Sequence, residues 1–115
     1  MSYEGNEEFW FRFVSLSESQ VNVLRQHCGE LEVRPKRNAP GLFVASFRLN
    51  ADSAYDWLPS FLRDHNLAES SYGVFVSLVT THDSEVVALP AFVLEVHRRA
   101  GGQIEFSFTL VSGSP

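Results

Sequence analysis

The segment Gln103–Leu110, QIEFSFTL, alternates polar and apolar side chains without a break. A period of two is the period of a β-strand, so Ile104, Phe106, Phe108 and Leu110 share one face while Gln103, Glu105, Ser107 and Thr109 share the other. A face that apolar requires cover, and the preceding residues supply a means. Pro90 suits the first turn of a helix, Phe92, Val93, Val96 and Ala100 recur at helical spacing, and Gly101-Gly102 ends the run. Arg98 and Arg99 near the end of that helix oppose its negative pole. With a short strand over Glu85–Leu89, the last third reads as strand, helix, strand.

The same alternation recurs upstream. Glu8–Leu16 predicts a strand with Phe9, Phe11 and Phe13 on one face and Trp10, Val14 and Leu16 on the other. Both faces are largely apolar, which places it inside the sheet rather than at an edge. Ser17-Glu18-Ser19-Gln20 has the form of a capping box, with Val21, Leu24 and Cys28 as the buried stripe of a helix that stops at Gly29. Glu30–Arg34 predicts a short strand, and two prolines break 35–41. Leu42–Leu49 is the next strand, with Phe43, Ala45, Phe47 and Leu49 on one face. A second helix starts at Asn50 or Asp52 and runs to about His65, where Pro59 either kinks it or marks a late start capped by Asp56. Asn66 is placed as a left-handed stop, and Tyr72–Thr81 is a strand apolar on both sides.

The expected order is therefore βαββαββαβ. It implies one α+β domain over residues 1–115, with loose tails at 1–7 and 112–115. The architecture is a two-layer sandwich of three helices on a mostly antiparallel sheet of about six strands. Its first βαββαβ block has ferredoxin-like form.

Ten Phe, two Trp and three Tyr in 115 residues give such a domain enough apolar area to fold without staples. Cys28 is the single cysteine, so no internal disulfide or cysteine-pair metal site exists. The leader lacks the pattern of a signal peptide, and no apolar run approaches the ~20 residues of a membrane span. The expectation is a soluble, cytoplasmic protein.

Net charge is −5, unfavourable for general nucleic-acid binding and compatible with a basic protein partner. Arg34, Lys36 and Arg37 fall in a stretch without acidic residues, whereas Asp52, Asp56, Asp64, Glu69, Asp83 and Glu85 follow with little basic relief. Solubilising surface charge is the simplest account of that banding. The interleaved Tyr55, Trp57 and Tyr72 are of the types that anchor interfaces, although core packing explains Tyr55 at least as well.

No catalytic constellation emerges. Cys28 sits at a helix C-terminus on a buried stripe, a setting that raises a thiol's pKa. His27, His65, His82 and His97 with Asp64 and Asp83 lack metal-ligand spacing. Glu105 lies on the polar face of its strand, where solvent or a cross-strand arginine such as Arg12 or Arg48 suffices. Arg34, Lys36 and Arg37 near Phe43 form an alternative basic patch for RNA, but three charges in an acidic chain carry little weight. No cofactor is implied.

The layout of residues 89–111, helix, Ala-Gly-Gly stop and alternating strand, together with the capped helix over 17–29, resembles small bacterial domains that include immunity proteins, the partners of secreted polymorphic toxins. The resemblance spans residues 8–111 and is one of layout, so it assigns no site residues. It implies a non-enzymatic domain that binds and neutralises a cognate toxin. A basic toxin would meet the acidic flank of Asp52, Asp56, Trp57, Asp64, Glu69, Tyr72, Asp83 and Glu85. Two other readings stand beside it. One is a small-ligand-binding or enzymatic domain with a pocket between sheet and helices, near His65, His82 and Arg48. The other is a homo-oligomer pairing through an edge strand or through the Trp10 face of the first strand.

Overall fold

A computed structural model describes residues 6–80 and 88–110. The elements run β1 (Asn6–Ser17), α1 (Glu18–His27), β2 (Glu32–Pro35), β3 (Leu42–Arg48), α2 (Trp57–Asp64), a 3₁₀ turn (Glu69–Ser71), β4 (Tyr72–Thr80), α3 (Ala91–Ala100) and β5 (Gln103–Leu110). Among the described residues the five strands form one open mixed sheet in the order β2-β3-β1-β4-β5. β1 is antiparallel to both β3 and β4, β2 is antiparallel to β3, and β5 alone runs parallel to its neighbour β4. The parallel pair follows from α3 lying between β4 and β5, since a helical crossover returns the chain to the same end of the sheet. The sequence reading had six strands. Its Glu85–Leu89 strand falls mostly outside the described residues, and Ala88 and Leu89 are not in a strand.

The core lies on one face of the sheet. Phe9, Phe11 and Phe13 of β1, Ala45 and Phe47 of β3, and Val74, Val76 and Leu78 of β4 are buried there. Above them pack Val21 and Leu24 of α1, Leu58, Phe61 and Leu62 of α2, and Val93, Val96 and Ala100 of α3. Phe11 is the centre, fully inaccessible, stacked on Phe47 at 5.7 Å and on Tyr72 at 5.8 Å between ring centroids. Aromatic pairs of this geometry contribute about 0.5–1.5 kcal/mol each beyond their buried area.

Local chemistry sets the element boundaries. The capping box forms as its residues dictate: Ser17 Oγ accepts from the Gln20 amide at 3.2 Å, and Gln20 Oε1 accepts from the Ser17 amide at 2.9 Å. Gly29 is not left-handed, because α1 leaves through an extended Cys28. The second helix starts at Trp57, later than Asn50 or Asp52. Pro59 therefore falls in its first turn, where a missing N–H costs nothing. Asp56 does not cap it, since the Asp56 backbone is already helical. Asn66 (φ 53°) closes it, with the Leu67 amide donating to Leu62. Leu16 also differs from expectation. A bulge between Phe13 and Leu16 shifts the register against β3 and turns Leu16 into the core.

Among the described residues no helix is long and apolar enough to cross a membrane.

Candidate binding site on the open sheet face

The alternation that buries Phe9, Phe11 and Phe13 turns Glu8, Trp10 and Arg12 to the opposite face, where no helix among the described residues packs. Register then decides which residues meet there. Trp10 lies opposite Arg48 on β3 and Phe75 on β4, while Arg12 lies opposite Ser46 and Gly73. On the outer strand Glu32 faces Ser46 and Arg34 faces Val44. The result is a trough of about 510 Å³ across β2, β3, β1 and β4, floored by Trp10, Val44 and Phe75 and edged by Arg12, Arg34 and Glu32.

Two arrangements fix its side chains. The Arg12 guanidinium sits over the Phe75 ring, 5.2 Å from its centroid, a cation–π contact. The Trp10 indole N–H donates to Glu8 at 3.1 Å, and Glu8 reaches Arg48 at 3.9 Å. That ion pair is solvent-exposed and contributes little to stability, but it orients the indole. Among the described residues neither Arg12 nor Arg34 has an ion-pair partner. A guanidinium so placed is available to a carboxylate, phosphate or carbonyl from outside, in the fork geometry that arginine favours.

Of the expected acidic flank, Asp52, Asp56, Asp64 and Glu69 are exposed. Asp52 is exposed in the loop before α2, and Asp64 is exposed at that helix's last residue. Asp56 accepts from Arg99 at 2.5 Å, tying α2 to α3. Glu69 accepts from the Gly102 amide at 3.3 Å. Trp57 is half-buried, stacked face to face on His27 at 4.6 Å and packed against Phe47. Tyr72 is 7% exposed, and its hydroxyl donates to the Ala100 carbonyl at 3.1 Å, so its ring serves the core and has no face to present. Burial, and secondarily the charge of Glu69, raises the Tyr72 pKa. Asp83 and Glu85 lie outside the described residues, as does His82. Of the alternative basic patch, Arg34 joins the trough, while Lys36 and Arg37 sit in the turn between β2 and β3.

A smaller hollow of about 190 Å³ lies between α2 and α3, and another of about 400 Å³ brings together His27, Cys28, Arg48 and Trp57. Cys28 beside that second hollow is a poor nucleophile, since burial pushes its thiol up to about 12. His65 is not part of either hollow; it packs on Phe61 at 4.5 Å. Among the described residues no three His, Cys, Asp or Glu side chains come together as a metal site.

Sequence reasoning missed Arg12 and Phe75 as site residues. Alternation gave the face of Arg12, but Phe75 lies in a strand apolar on both sides, and the register that joins the two strands has no local signal. Glu105, for which solvent or a cross-strand arginine sufficed, is exposed and lies opposite Phe75. No protein-family model, curated protein or solved structure matches this chain.

Proposed function

We propose that this chain is a non-enzymatic, cytoplasmic protein-binding domain of the immunity type, which holds and blocks a cognate bacterial toxin on the uncovered face of its sheet. The fold is then a two-layer α+β sandwich whose free layer is the binding layer. The observation that carries the reading is the grouping of Trp10, Phe75 and Arg12 across β1 and β4. An apolar aromatic centre with a charged rim is the anatomy of a protein interface, and Trp and Arg are prominent among its anchors. The net charge of −5 draws a basic partner from a distance. At contact, Arg12 and Arg34 take carboxylates or backbone carbonyls of that partner.

The test is co-purification from the native host at low and at moderate salt with three proteins: wild type, Trp10→Ala/Arg12→Ala and Asp52→Lys/Asp64→Lys. Asp56 is left intact because it holds Arg99. One toxin-domain protein, retained by wild type and lost by the open-face variant at unchanged fold, is the expected result. Retention by the open-face variant with loss by the acidic-loop variant moves the interface to the helical layer and refutes the assignment. The trough volume of about 510 Å³ also fits a small ligand with a planar apolar group and an anionic group. A bound metabolite without any protein partner would establish that second reading.

A further inference from the structure

The two edges of the sheet are built differently. β2, at one edge, is four residues long, ends in Pro35 and carries Glu32 and Arg34. Shortness, proline and charge are the features that keep an edge strand from pairing with another chain. β5, at the other edge, has none of them. It runs for eight residues, QIEFSFTL, with one charged side chain and no proline or lysine.

The exposed apolar side chains gather at that same edge. Phe106 is 47% and Phe108 56% exposed, with their rings stacked at 6.2 Å. They lie opposite Val76 and Leu78 in the parallel register, hence on the helical face of the sheet but beyond the cover of α3. The sequence expectation that helices cover this stripe holds only at its start: Ile104 packs against the core, while the third helix, placed over β4, leaves Phe106 and Phe108 bare. Leu94 of α3 is 49% exposed as well. Phe92, Glu95 and Arg99 mark the side of α3 turned towards α2. At about 100° per residue Leu94 lies roughly 200° around from Phe92, away from the α2 side. Leu94, Phe106 and Phe108 are the large exposed apolar residues of the described chain, and the two phenylalanines stand side by side on the edge strand.

We propose that this edge pairs with its own copy: β5 joins β5 of a second chain, antiparallel about a two-fold axis at Ser107, making one continuous sheet. The strand is complementary to itself in that register. Phe106 faces Phe108 of the other copy twice over, so the four rings form one cluster on the helical side. Glu105 faces Thr109 and never another Glu105, so no like charges oppose each other. The bare parts of Phe106 and Phe108 together amount to about one whole aromatic side chain, roughly 150–250 Å² per chain. The two-fold doubles this, and the paired backbones add to it, against about 1,000 Å² for a specific interface. The dimer therefore sits at the low end of stable sizes and dissociates on dilution.

Sedimentation velocity across roughly 1–200 µM, with dissociation expected in the micromolar range, is the first readout. The wild type should move from 13.0 kDa towards twice that mass. Phe108→Lys changes an exposed position, so its circular dichroism should match wild type while association weakens at least about tenfold, a loss of about 1.4 kcal/mol. Ser107→Cys in a Cys28→Ser background tests the register. Across the axis the two Cα atoms stand about 4.5–5.5 Å apart, within disulfide reach, so mild oxidation should link the copies. Gln103→Cys, about 26 Å from its mate, should not link. A wild type that stays monomeric throughout overturns the proposal. So does a dimer indifferent to Phe108→Lys, or Gln103→Cys linking as fast as Ser107→Cys.

Discussion

Gly29 and Gly102 both read as helix stops in the sequence, yet their replacement by alanine should have opposite consequences. Gly102 holds φ +86°, and a methyl group there would stand 2.6 Å from the Tyr72 carbonyl oxygen and 2.8 Å from the Tyr72 ring. The left-handed backbone costs an alanine about 1–2 kcal/mol. The overlap adds about 1–3 kcal/mol, because the atom it meets is backbone of β4 and cannot swing aside. Together these reach about 2–5 kcal/mol, a large share of the 5–15 kcal/mol typical of a whole domain. Gly29 has nothing within 4 Å of its added methyl and is not among the residues of positive φ. There alanine restricts the unfolded chain more than it strains the folded one, so Gly29→Ala should be neutral or stabilise by up to about 1 kcal/mol. Urea titration followed by tryptophan fluorescence, at unchanged m-value, measures both. A Gly102→Ala cost below about 1 kcal/mol, or a Gly29→Ala cost equal to it, would refute the packing argument at the α3–β5 junction.

Tyr72→Phe keeps the ring and removes the donor from the Ala100 carbonyl, so it should cost about 1–2 kcal/mol and lower Tm by roughly 4–8 °C while partner capture is unchanged. Loss of capture at unchanged Tm would make Tyr72 an interface residue. Cys28 should resist alkylation at pH 8, reacting at least about a hundredfold more slowly than an unfolded thiol. Its folded pKa is raised from 9.0 to about 12 by burial, so the unfolded chain ionises first. Stability should therefore be highest below pH 9 and fall as pH rises towards 12, with that part of the slope absent in Cys28→Ser. An identical slope in the variant would show that the thiol is not the group responsible.

What the sequence made legible depends on near neighbours. The faces of β1, β3 and β5 followed from alternation, the start of α1 from Ser17 and Gln20, and the end of α2 from Asn66, because each is decided within a few residues. What it concealed depends on distant ones. Leu16 is turned inward by a bulge that only the register with β3 reveals. Asp56 looked like a cap but is drawn to Arg99, on a helix far along the chain. Tyr72, grouped by sequence with acidic neighbours, is claimed by the core because β4 begins under α3. Partners from distant elements also meet the acidic residues: Arg99 stands beside Asp56 and the Gly102 amide beside Glu69. For the same reason Arg12 and Phe75 went unnoticed as a pair: antiparallel register makes them neighbours, and no local pattern encodes it.

The trough and the β5 edge use different parts of one sheet, and that separation has consequences. Trp10, in the trough floor, stands on β1, two strands in from the outer edge of the sheet. Strands repeat at about 4.8 Å, so pairing of β5 with its copy sets the two troughs about 24 Å apart on the same side of a continuous sheet. That spacing leaves each trough open, because the aromatic cluster at the axis lies on the helical side. Partner binding and self-association should therefore be separable. Phe108→Lys should dissociate the dimer and still capture the partner, whereas Trp10→Ala/Arg12→Ala should release the partner and still dimerise. A partner that itself presents two sites would couple them, since one dimer offers both troughs together and gains avidity without a new contact. With a single-site partner the two variants should act independently, and any dependence of capture on protein concentration would then reveal that the second copy contributes to the binding face.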